Sequence, residues 1–182
     1  MNNLEASFQP TTFWQARSVA DYLWLVLLLS GGGYVIWQYH RLMDGYERGI
    51  LLLTVFGLVW LGWQWRALQR LLLTVAVFSA LAVQSYGGEL TRGESAFLLK
   101  YLLASQSAIM WMSALYVMAT VSYALALLSN RIFVGSVASA LTWSATAMGL
   151  TGLLVRWRES YLMAADIGHI PVSNLYEVFI LF

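Results

Sequence analysis

Ile132-Phe133-Val134-Gly135-Ser136-Val137-Ala138-Ser139-Ala140-Leu141-Thr142-Trp143-Ser144-Ala145-Thr146-Ala147-Met148-Gly149-Leu150-Thr151-Gly152-Leu153-Leu154-Val155 decides the fold. These 24 residues contain no Asp, Glu, Lys, Arg or His. A helix needs about 20 apolar residues to cross the hydrocarbon core of a bilayer. The same test applied outward finds charge-free runs at 22–39, 49–65, 71–88 and 101–130. The last is too long for one upright span, so the span within it is placed at 107–129. Ser95 to Gln106 then reads as an amphipathic segment on the membrane surface, or as the start of one long tilted helix.

Composition agrees. The chain has 182 residues, 60% hydrophobic and 10% charged. Soluble domains average about 45–50% apolar and about 25% charged. A soluble enzyme, a disordered tail and a nucleic-acid binder are excluded on that ground. The net charge of +1 offers no basic face for a polyphosphate. Cysteine is absent, which removes disulfides, thiolate metal sites and thiol redox chemistry. The expected fold is an all-α, polytopic transmembrane helix bundle with five complete spans and a truncated sixth.

The sixth span opens near Leu175 and is still apolar at Phe182. Eight residues, 175–182, cannot cross a bilayer, so the chain reads as a fragment of a longer protein. Residues 1–21 carry Glu5, Arg17 and Asp21 and lack the basic start of a signal peptide. They read as an N-terminal cytoplasmic segment. Gly31-Gly32-Gly33 in the first span is expected to allow close packing against a neighbouring helix. Charge alone barely orients the chain. The Arg66–Arg70 turn, two Arg and no acid, leans towards the cytoplasm.

Three polar stretches are candidates for chemistry. Residues 39–49 contain His40, a candidate haem or metal ligand. The plainer reading is a solvated turn built on Asp44-Gly45. Ser105-Gln106-Ser107 stands where the chain enters lipid and reads as hydrogen-bonding glue between helices. Residues 156–174 form an expected loop holding Arg156, Arg158 and His169. His169 is a candidate axial haem and metal ligand. Arg156 and Arg158 are candidate partners for carboxylates such as haem propionates. Pro171 stops a helix, and Asn174 with Glu177 makes a capping-box-like start to the sixth span.

The stretch Gly168-His169-Ile170-Pro171-Val172-Ser173-Asn174-Leu175-Tyr176-Glu177 resembles the G-H-x-P-x-S-N-x-Y-E segment of CcsA-type (ResC-like) cytochrome c biogenesis proteins of system II. Residues 43–49, 105–115 and 152–157 also resemble bacterial members. The resemblance carries over Gly168, His169, Pro171, Ser173, Asn174, Tyr176 and Glu177 as motif residues, without individual roles. It implies a multi-pass protein of the bacterial inner membrane. With a CcsB-type partner, such a protein moves haem and attaches it to apocytochrome c on the periplasmic side, as a haem lyase. It also implies that 156–174 is periplasmic and the N-terminus cytoplasmic.

The chain departs from the family pattern in one respect. No W-x-W-D loop occurs in it, and the main haem site is expected past residue 182. This stretch of chain is therefore expected to be inactive alone and to hold no stoichiometric haem. Two competing readings are a transporter or channel subunit and a non-catalytic structural membrane protein. The ionisable residues that the former needs inside its spans are missing from all five charge-free runs.

Overall fold

The structure, a computed structural model, describes residues 17–41 and 43–163. Those residues form helices and no strand. Five helices are long and apolar enough to cross a membrane: α1 (Val19–Tyr39), α2 (Gly45–Gln64), α3 (Arg66–Tyr86), α5 (Ser105–Ser129) and α6 (Ile132–Met163). A short helix α4 (Arg92–Ser95) and a π-helical turn (Leu99–Leu103) lie between α3 and α5. The all-α, multi-pass reading holds. The chain divides into two compact units after Arg70, within α3.

Most boundaries move by only a few residues from the sequence reading. The largest change is in α6. It runs to Met163, eight residues past the expected end at Val155, so the first residues of the expected 156–174 loop are helical. Charge ends a lipid-buried run, but it does not end a helix: Arg156, Arg158 and Glu159 have ordinary helical propensity. The motif residues Gly168, His169, Pro171, Ser173, Asn174, Tyr176 and Glu177, and the sixth span, lie outside the described residues.

The first unit is an antiparallel pair, α1 and α2. Gly32 lies against Val55, and a Cβ there would stand 2.8 Å from a Val55 methyl. The close packing expected of the triple glycine therefore falls on Gly32; Gly31 and Gly33 face open space. Further along, the Trp24 indole donates to the Leu58 carbonyl at 3.1 Å and lies over Gly62. Asp44 begins α2 with a capping box: it accepts from the Glu47 amide at 2.9 Å, and Glu47 accepts from the Asp44 amide at 3.1 Å.

Asp21 closes the other end of that pair. Its carboxylate is buried and accepts from the Ser18 amide (2.9 Å), the Ser18 hydroxyl (3.0 Å) and the Gln69 side-chain amide (3.2 Å). Arg66 stands 3.5 Å from it. The Trp63 indole donates to the Asp21 carbonyl at 3.1 Å. Arg17 lies 4.9 Å above the Trp63 ring and donates to the Trp63 carbonyl.

The second unit is built on the α5–α6 hairpin. Asn130, at φ 50° and ψ 29°, ends α5 in the left-handed conformation that Asn tolerates better than most residues. The pairing is antiparallel: the Tyr116 hydroxyl meets that of Thr146 at 2.9 Å, Met112 meets Gly149, and Ile109 and Ala108 meet Gly152. Small residues fill the buried face of α6, including Ala138, Ala145, Gly149 and Gly152. In lipid there is little hydrophobic drive between helices, so small residues gain contact by letting backbones approach. Gly87 (φ 54°) and Gly88 (φ 91°) end α3 in a conformation other residues rarely adopt. The π-helical turn then packs Leu99 and Leu103 against Ala82 and Tyr86 of α3 and Val155 of α6.

Candidate functional site

The site forms at the start of α5. The first amides of any helix lack intrahelical acceptors, and a polar cap residue usually serves them. Here the cap position is Ala104, which has no polar side chain. It sits between the π-helical turn, closed by the Ala104 amide on the Leu99 carbonyl at 2.9 Å, and the extended step into Ser105.

Glu159 of α6 supplies the missing acceptor. Its Oε1 accepts from the Ser105 amide at 3.0 Å, and its Oε2 accepts from the Ser105 hydroxyl at 2.5 Å. The negative charge lies at the positive end of the α5 dipole, which favours it. Tyr86, from the end of α3, donates its hydroxyl to Oε1 at 2.6 Å. Arg156, one turn earlier on α6, stands 3.7 Å from Oε2. Glu159 is 6% exposed and Tyr86 2%. A buried carboxylate is costly unless paired and hydrogen-bonded, and this one is both. Gly93 makes room for the tyrosine: a Cβ there would stand 3.1 Å from its hydroxyl.

A cleft of about 450 Å³ opens beside this cluster. Its polar lining includes Glu94, Lys100, Gln106, Ser107 and Arg156. The Ser107 hydroxyl donates to the Lys100 carbonyl at 2.5 Å.

The sequence-derived candidates fare differently. Arg156 stands beside a carboxylate, but one from its own helix. Arg158, about 200° further round α6, is exposed and does not join the cluster. His40 is exposed. Its Nδ1 bonds the Trp37 carbonyl at 2.8 Å, and its own carbonyl accepts from Arg48 at 2.6 Å. These bonds place His40 in the connection between α1 and α2, but Asp44-Gly45 is the capped start of α2 and not the turn dipeptide expected, so residues 45–49 are helical. Among the described residues no group of three or more His, Asp or Glu is placed to hold a metal ion. His169 lies outside the described residues. Ser105 acts as the expected glue between helices, whereas Gln106 is exposed.

Glu159 and Tyr86 are members of this site that the sequence alone does not single out. The i,i+3 spacing of Arg156 and Glu159 is a readable signal. Nothing local ties either residue to Tyr86, 73 positions from Glu159.

No family model, curated protein or solved structure matches the chain.

Proposed function

We propose that this chain is a haem-handling membrane component of system II cytochrome c biogenesis. It presents haem, with a CcsB-type partner, for attachment to apocytochrome c. The observation that carries this reading is the sequence motif from Gly168 to Glu177, which follows five apolar helices along the chain. The bacterial inner membrane, a cytoplasmic N-terminus and a periplasmic 156–174 segment belong to the same proposal.

The geometry at the end of α6 supports this. α6 leads into the motif, and Glu159 fastens α6 to α5 and α3 shortly before the helix's described end at Met163. A fixed approach suits a segment that must present a rigid planar ligand.

The test is genetic and spectroscopic. Deleting the reading frame in its own host should abolish covalently bound haem in the membrane c-type cytochromes, as read by haem staining of denaturing gels. A plasmid copy should restore it. Normal haem-stained cytochromes in the deletion strain would overturn the reading.

A further inference from the structure

The cleft beside Glu159 has a charge pattern that haem handling does not use up. Glu159 lines it, but both its oxygens are already engaged by Tyr86, Ser105 and Arg156. Ser107 donates its proton to the Lys100 carbonyl, so its oxygen is left as an acceptor. Arg156 is held by Glu159 in the same way, so what the cleft offers a ligand is the Lys100 cation, the Glu94 carboxylate, and the polar groups of Gln106 and Ser107. A simple anion would meet Glu94, and a simple cation would meet Lys100. A molecule carrying both signs satisfies both sides.

Location narrows the source. The cleft lies where α3 ends and α5 begins, and both helices are long and apolar enough to cross a membrane. The segment that lines it also exposes Phe97 (79%) and Tyr101 (54%), with ring centroids 5.0 Å apart. Lys100 Nζ lies 5.7 Å from the Tyr101 centroid. Exposed aromatics beside a lysine are typical of the headgroup layer.

We propose that this cleft binds the headgroup of a zwitterionic aminophospholipid, with its phosphate at Lys100 and its ammonium at Glu94. A primary ammonium donates hydrogen bonds to Glu94, Gln106 and Ser107; a quaternary choline cannot. The proposal does not depend on haem handling.

The test is native mass spectrometry of the detergent-solubilised full chain with equal mole fractions of phosphatidylethanolamine, phosphatidylcholine and phosphatidylglycerol. The ethanolamine lipid should be retained best, by about two- to fivefold, the worth of one partly exposed ion pair. Lys100→Ala should lower retention of all three lipids together, since each carries the phosphate. Glu94→Gln should erase only the preference for ethanolamine. Both side chains are exposed, so both variants should fold. Soluble glycerophosphoethanolamine should not compete at the same concentration. Equal retention of all three lipids would overturn the proposal. So would a preference for the glycerol lipid that Glu94→Gln leaves unchanged, or full competition by the soluble headgroup.

Discussion

Glu159 of α6 caps a helix that it does not belong to: both its oxygens are held by Ser105, the first residue of α5. One carboxylate thus replaces the local cap that Ala104 cannot provide and joins two helices at the open end of their hairpin. Tyr86 adds the third helix to the same atom pair.

Glu159→Ala should destabilise the protein far more than Tyr86→Phe. The alanine leaves the buried Ser105 amide and Tyr86 hydroxyl without their acceptor, each worth about 1–3 kcal/mol. The phenylalanine removes one hydrogen bond, worth about 0.5–1.5 kcal/mol, and keeps the ring in its pocket. Thermal melts in a fixed detergent read both. Equal losses would mean that the bonds to Ser105 add nothing and that Glu159 acts only through Tyr86.

The glycines of α6 should respond in opposite directions. A Cβ at Gly152 would stand 3.0 Å from Ile109 and 3.3 Å from both Ala108 and the Ser105 carbonyl, and backbone cannot easily give way. Gly152→Ala should therefore lower the melting temperature. Gly135 faces open space, so Gly135→Ala should gain up to about 1 kcal/mol from helix propensity. A stabilising Gly152→Ala would contradict the close α5–α6 approach.

Asp21 should behave as a knot in the first unit. Asp21→Ala removes the acceptor for Ser18 and for the Gln69 amide, and should cost about 1–3 kcal/mol for the buried donor left behind. Trp63→Phe keeps most of the ring and loses only the indole bond to the Asp21 carbonyl, so about 0.5–1.5 kcal/mol is expected. Limited proteolysis near Arg66, compared between the variants, would rank them.

Under the proposed function, the chain purified alone should not carry stoichiometric haem, because the W-x-W-D loop of the family it resembles does not occur in it. An absorbance spectrum after haem addition checks this. A strong Soret band that disappears on changing His40 or His169 to Ala would refute it.

The helices are legible because lipid imposes a severe rule: a run without charge must be long, and its backbone must bond to itself. Hence 132–155 and its companions fall close to α6 and the other long helices. The overrun of α6 to Met163 is not legible, since leaving the hydrocarbon does not require a helix to stop. Gly32 illustrates a half-readable feature. The triple glycine announces a close approach, but only the helix phase selects which of the three meets Val55. The Glu159 cluster is the least legible. Its members are Tyr86, Ser105 and Glu159, scattered along the chain and joined only when α3, α5 and α6 pack. Ser105 reads as glue, yet its partner cannot be named from sequence, because any acid in a loop-like stretch would serve equally well on paper.

Asn130 and Glu159 close opposite ends of one hairpin, and this gives it a mechanical polarity. A covalent turn cannot open, whereas a carboxylate with two helix-start bonds can. Tension applied at the Met163 end therefore loads Glu159 first, and the small-residue contacts at Gly152, Gly149 and Thr146 would then separate in that order towards Asn130. The hairpin is built to unzip from its charged end rather than to shear, with Glu159 as its clasp.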